Sequence, residues 1–339
     1  MRVGSLCTGI AGLELGLRLA GIDVEPVFVS DIDSGACKWL EANMPDTPNL
    51  GDFTVLNELP EVDLITAGFP CQPLSTAGLR KGVEDERWIF DDIARLVSRM
   101  ESRPLLFLEN VPGLLTANSG NAMGRVVHQL AAIGYHITWG TLSATAVGAP
   151  HRRLRWWGLA WQPENVNQKW SILGSSSEER PPAPAGGTDS YDAPADTVGW
   201  GLANQCNAVA SEPEQPRIGS DRNAPADTDS PSRETRVHSR LDSQISRSQP
   251  VGHSPHNYGR YAAAVQRWEL ILGRAAPNPV DEKHRLNPAF VEWMMGYPEG
   301  WVTDILTRRA QSLHALGNAV VPQCAAAAWT QLKQRVVAS

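Results

Sequence analysis

Along residues 1–161, short apolar runs alternate with stretches of helical spacing. Val3–Cys7, Pro26–Ser30, Asp63–Gly68, Leu105–Leu108, His136–Leu142 and Leu154–Ala160 read as buried strands. Between them, Leu13–Ala20, Ser34–Asn43, Ile89–Met100 and Ala122–Ile133 carry apolar residues three and four apart, the spacing of one helix face. Strands alternating with helices of this length predict an α/β fold built on a doubly wound, mostly parallel sheet. Ligands of such sheets bind outside the carboxyl ends of the strands.

The pattern thins after Trp161. From Gly174 to Asn257 only eight residues are Val, Ile, Leu, Met or Phe, too few for a core of their own. Ala193–Thr197 recurs as Ala224–Thr228, but two copies fall short of a repeat array. Two readings stay open: a linker without fixed structure, or a loop-rich module that orders on a partner. Helical spacing returns over Arg260–Gly273, over Asn287–Met295 with Pro288 suited to a helix start, and over Val320–Val336.

Composition narrows the class. Hydrophobic residues make up 42% and charged residues 20%, which is soluble globular material. No run approaches the about 18 apolar residues of a membrane span, and Met1–Gly4 lacks a basic-then-apolar leader. Five cysteines without CxxC spacing argue against a disulfide scaffold or a zinc ribbon, and for a reducing, cytoplasmic setting without metal. The net charge of −7 is unevenly spread: −5 over 1–161, −4 over 162–260 and +2 over 261–339. A polyanion would therefore be held in a local cleft and not on a broad basic face.

Candidate chemistry sits at successive strand ends. Ser5–Gly12 runs from a strand through a glycine-containing turn into a helix, where free N–H groups face a ligand. Asp31 closes the second strand 22 residues after Gly9, where an acid can bind ribose hydroxyls, and Gly51-Asp52 adds a second acid. Cys71 lies between Pro70 and Pro73 in Ala67–Ser75, a stiff loop at the ligand-binding edge. Glu109 ends the fourth strand, where partial desolvation would raise its pKa and suit it to donate a proton. Arg153 and Arg155 alternate with Leu154 and so share one face, a fork for an anion or a carbonyl oxygen. Each has a bland alternative: a tight turn, a structural cysteine, a loop-capping carboxylate, a solvated edge strand.

Taken in order, these features resemble the DNA (cytosine-5)-methyltransferase family over 1–161 and roughly 286–330. Phe69-Pro-Cys-Gln72 is similar to its catalytic loop, Glu109-Asn-Val to its acid motif, Arg153-Leu-Arg155 to its arginine pair, and Leu286–Pro298 and Leu316–Val321 to its last two motifs. The resemblance implies a Rossmann-like methyltransferase fold over 1–161 plus 312–339. It also implies a smaller, irregular target-recognition domain over 162–311, with 174–257 loop-rich or partly disordered. It implies S-adenosylmethionine as cofactor, held by Leu6, Cys7, Thr8, Gly9, Ile10, Gly12, Asp31, Ile32, Asp52, Phe53, Pro70, Asn318 and Ala319. Cys71, Glu109, Arg153 and Arg155 are the implied catalytic residues, and Gln72, Ser75, Arg233, Arg236 and Arg240 the implied DNA contacts. The implied reaction methylates cytosine C5 in duplex DNA, with the base flipped out and Cys71 joined to C6. Double-stranded DNA is the expected partner, a companion restriction endonuclease a further one, and the enzyme a monomer in a bacterial or phage-infected cell.

Two departures stand out. Ala11 and His151 replace a glycine and a glutamine common in the family. Ala11 suits a tight turn if its φ is negative, and protonation of His151 would add pH dependence. Competing readings are an RNA cytosine-5 methyltransferase on the same core, a non-catalytic nucleic-acid-binding relative, and a nicotinamide dehydrogenase. The long insert favours DNA, Cys71 and Glu109 argue against the second, and the dehydrogenase leaves both of them and the arginine pair unused.

Overall fold

A computed structural model describes residues 1–70, 88–165, 200–202 and 258–338. Cys71, Gln72, Ser75, Arg233, Arg236 and Arg240, and all of 174–257 except 200–202, lie outside the described residues. Seven strands form one sheet: β1 (Arg2–Leu6), β2 (Glu25–Ser30), β3 (Leu64–Gly68), β4 (Leu105–Asn110), β5 (His136–Ser143), β6 (Leu154–Trp161) and β7 (Trp200–Leu202), in the order β2-β1-β3-β4-β6-β5-β7. The helices are α1 (Gly12–Leu19), α2 (Ser34–Asn43), α3 (Ile89–Ser98), α4 (Asn121–Ala132), α5 (Ala262–Leu272), α6 (Pro288–Met294), α7 (Arg309–Asn318) and α8 (Pro322–Ala338).

The six predicted strands stand within two residues of their expected bounds; β4 is buried throughout, whereas β5 alternates buried and half-buried positions over Trp139–Ser143. The first four in spatial order, β2, β1, β3 and β4, are parallel. β6 runs against both neighbours, β4 and β5. Its reversal matters: Asn110 at the end of β4 faces Trp156 near the start of β6, so the residues entering β6 reach the carboxyl edge of the sheet. Two elements escaped the periodicity. β7 is three residues long and pairs with β5 in a stretch of sparse apolar content. α7 buries only Ser312 and Leu316, so its apolar stripe is too thin to read.

Alternation along the strands sorts side chains into two cores. Leu64, Leu105 and Phe107 join a cluster with α1, α2 and α8, while Ile65, Leu106 and Leu108 join one with α3 and α4. Val265, Trp268, Phe290, Trp293 and Trp301, from the segment after residue 258, belong to the same cluster as α1 and α8. α1 and α8 cross closely at Gly16, where an added Cβ would lie 2.3 Å from Ala325 Cβ.

The turn before α1 corrects one expectation. Ala11 has φ +56°, not negative, and Cys7 and Gly9 take the same left-handed region at +53° and +59°. A left-handed alanine costs roughly 1–2 kcal/mol. Backbone bonds hold it there: Ala11 N–H donates to Thr8 O, and Leu15 N–H to Ala11 O, each at 3.0 Å. Strain of this kind gathers at ligand-binding turns.

Candidate active site

The ends of β1, β2, β3 and β4 and the start of β6 surround a cavity of about 380 Å³, closed on one side by Ala315, Gly317, Asn318, Ala319 and Val320. Of the expected cofactor residues, Cys7, Thr8, Gly9, Ile10, Gly12, Asp31, Pro70, Asn318 and Ala319 line it. Leu6, Ile32, Asp52 and Phe53 do not. Leu6 and Phe53 are buried in the core, and Ile32 is 72% exposed on the surface. Asp52 accepts from Thr54 N–H at 2.9 Å and from its hydroxyl at 2.7 Å, capping a short turn.

Asp31 organises the cavity floor. One carboxylate oxygen accepts Gly9 N–H at 2.7 Å and the other accepts Asp33 N–H at 2.8 Å. A carboxylate offers about four acceptor positions, so lone pairs are left for hydroxyls of a ligand. Asp33 also lines the cavity and caps α2 through Gly35 and Ala36 N–H. Sequence reasoning missed it, although Asp before a helical stretch is a legible cap.

Across the cavity, Glu109 is buried in β4 and pairs with Arg155, Nε to Oε1 at 3.0 Å. A neighbouring guanidinium ordinarily holds a carboxyl down. Here burial outweighs Arg155 and Arg153, and Glu109 is pushed up to about 7. The neutral acid is therefore substantially populated at neutral pH, as its position at a strand end predicted. Asn110, beside it in the motif, donates Nδ2–H to Phe69 O at 2.9 Å and so ties the end of β4 to the Phe69-Pro70 segment that leads to Cys71.

The two arginines share one face but have different partners. Arg155 meets Glu109, whereas Arg153 donates through Nη2 to Gly317 O at 2.7 Å and Ala319 O at 2.5 Å. Arg153 thus ties β6 to the returning segment on both sides of Asn318. His151 bonds Met294 O through Nε2 at 3.0 Å, and burial lowers its pKa with the two arginines adding to the effect. The lowered pKa favours the neutral imidazole at neutral pH and moves its protonation to a more acid range. Burial pushes the Cys7 and Cys324 thiols up to about 12 and raises Cys37, so none of these is a ready nucleophile.

The cavity lining combines the carboxylates of Asp31 and Asp33, apolar Phe69, Pro70 and Val320, and the amide of Asn318. The fold is that of several solved methyltransferases. Dnmt2 methyltransferase of S. pombe superposes with a TM-score of 0.54 at 17% identity, covering 99% of each chain. A putative DNA modification methyltransferase encoded within an E. coli prophage gives 0.53 at 18%, covering 98% of this chain and 99% of the other. A sequence model of the C-5 cytosine-specific DNA methylases matches residues 1–334, and the chain belongs to that family. It is 36% identical over 159 residues to the type II methyltransferase M2.BsuMI of Bacillus subtilis, covering 46% of this chain and 40% of that protein. It is 34% identical over 180 residues to the orphan methyltransferase M.SPRI of Bacillus phage SPR, covering 51% and 40%. These matches span about two fifths of the relatives' own length.

Proposed function

We propose that this chain transfers a methyl group from S-adenosylmethionine to C5 of cytosine within a specific duplex DNA sequence. The observation that carries the reading is Glu109: a buried carboxyl pushed up to about 7, held by Arg155, on the wall of a nucleoside-sized cavity shared with Phe69 and Pro70. Cys71 follows Pro70 directly in sequence. Asp31 and the Thr8–Gly12 turn, with Asn318 and Ala319 opposite, would hold the cofactor. When bound, it would supply an electrophilic methyl group and keep the electron pair of the broken S–CH3 bond as a neutral thioether.

The chemistry asked of the chain follows from cytosine, whose C5 is too weak a nucleophile to be methylated unaided. Cys71 thiolate forms a bond to C6 while Glu109 donates its proton, or a hydrogen bond, to N3. Electron density moves to C5, which takes the methyl group. A base then removes the C5 proton, the S–C6 bond breaks with its electron pair returning to sulfur, and the N3 proton goes back to Glu109. Arg155 orients Glu109 and faces the base carbonyl, and Arg153 supports the site. C5 and C6 are stacked in a duplex, so the base must leave the helix at a cost of a few kcal/mol, offset by contacts to the DNA backbone.

Recognition of the target falls to 162–311 in this reading, with Arg233, Arg236 and Arg240 contacting DNA and Gln72 and Ser75 bordering the base. Duplex DNA is the partner, and its type II relatives suit a companion endonuclease. Among the described residues no helix is long and apolar enough to cross a membrane. Bisulfite sequencing of a plasmid propagated with the expressed protein reads activity, base and target together, and labelled cofactor with duplex DNA against tRNA separates the two substrates. Methylation of tRNA alone would overturn the DNA assignment. Cys71→Ser should bind cofactor yet transfer no methyl group, and a duplex bearing 5-fluorocytosine at the target should yield a denaturant-stable adduct with the wild type.

A further inference from the structure

Two walls of the cavity hang from a single aromatic pair outside it. Tyr297 and Trp301 stack with ring centroids 6.0 Å apart. Trp301 Nε1–H donates to Ile10 O at 3.0 Å, and Tyr297 O–H donates to Val320 O at 2.9 Å. Ile10 belongs to the left-handed turn before α1, and Val320 to the returning segment on the far side; both line the cavity. Neither aromatic residue does.

The pair is held firmly from behind. Glu292 of α6 is buried, and its carboxylate accepts Gly300 N–H at 2.8 Å, Val302 N–H at 2.6 Å and Thr303 N–H at 3.0 Å, fixing the backbone on both sides of Trp301. Trp301 O accepts from Trp39 Nε1–H at 2.5 Å, and the two indoles lie 5.1 Å apart. Tyr297 in turn explains Gly12: a Cβ there would sit 2.2 Å from the tyrosine hydroxyl. The carbonyls of Ile10 and Val320 are fixed by groups the cofactor would never touch.

We propose that Tyr297 and Trp301 are positioning residues for cofactor binding, a clamp that sets the distance between the α1 turn and the returning segment. The left-handed Cys7 and Ala11 make that turn costly to hold, and the Trp301 bond to Ile10 O adds an anchor to the backbone bonds within it. The inference rests on the cofactor reading of the cavity.

The test uses the full chain and calorimetry with S-adenosylmethionine and with its demethylated product. Trp301→Phe keeps the stack and removes one N–H; Tyr297→Phe keeps the ring and removes one O–H. Each removes one neutral hydrogen bond, so affinity should fall about 3- to 10-fold. KM for the cofactor should rise in parallel while kcat at saturation changes little. Trp268→Phe is the matched control. It deletes a buried indole bond, Nε1–H to Trp293 O at 3.0 Å, in the same core but away from the cavity. It should lower Tm without changing affinity. Wild-type affinity in both clamp variants, or an equal loss in the control, overturns the clamp. Failure of the wild type itself to bind would instead overturn the cofactor reading.

Discussion

Glu109 titrates near neutrality, and its pH behaviour follows from burial. Its folded pKa of about 7 lies above the ordinary carboxyl value, so folding favours the protonated form. The stability this brings is full below the unfolded pKa and is lost as pH rises through about 7. Chemical denaturation at several pH values should show that loss in the wild type and not in Glu109→Gln. The proposed reaction carries the same mark: kcat/KM should fall on an alkaline limb near pH 7, with the thiolate asked of Cys71 setting the acid side. Glu109→Gln should remove the alkaline limb and slow turnover about 10²-fold or more. His151 gives the opposite forecast. Its lowered pKa already favours the neutral imidazole, which makes one bond to Met294 O that an amide can replace. His151→Gln should leave turnover within about threefold and the pH profile unshifted, read from the same rate–pH series.

At the scale of elements, the crossing of α1 and α8 decides how the returning segment meets the turn. Helix propensity alone says that Gly16→Ala should stabilise α1 by up to about 1 kcal/mol. Packing says otherwise, since the new Cβ would lie 2.3 Å from Ala325 Cβ and 2.8 Å from Pro322 O, a backbone atom that cannot step aside. Overpacking costs about 1–3 kcal/mol and should win. The urea midpoint of Gly16→Ala should therefore drop, and cofactor affinity with it, because Pro322 stands two residues beyond the Asn318–Val320 wall. An unchanged or higher midpoint would mean that the helices slide apart freely. The elements themselves were largely legible. Six strands and the helices of the first half were readable because each carries an apolar period of its own. α7 was not, since it is anchored by two buried residues and by its neighbours instead of a continuous stripe.

On the scale of the whole molecule, the insert and the cofactor half should separate in function. Between residues 203 and 257 the sequence holds only six Val, Ile or Leu residues and no Met or Phe, too few for a core of its own. Excising those residues with a short flexible joint should leave cofactor affinity unchanged within about twofold, while site-selective methylation disappears. Calorimetry and bisulfite sequencing check the two halves of that statement. Retained selectivity would move the reader into 258–311, where Trp268, Trp293 and Trp301 already share the core of α1 and α8.

Sequence alone determined what depends on near neighbours: which runs are strands, which are helices, and that a turn, a cysteine, an acid and an arginine pair follow one another at strand ends. Burial periodicity is a local signal, and those features are local. Tertiary structure decided what depends on where the chain returns. The reversal of β6 brings Arg153 and Arg155 to the same edge as Glu109; a parallel β6 of eight residues would have carried its start roughly 26 Å away. The raised pKa of Glu109 comes from its surroundings, and the partners of Arg153 lie 164 and 166 residues further along the chain. Trp301 and Ile10 are 291 residues apart. No spacing rule links such pairs, because only packing of the whole core closes the distance between them.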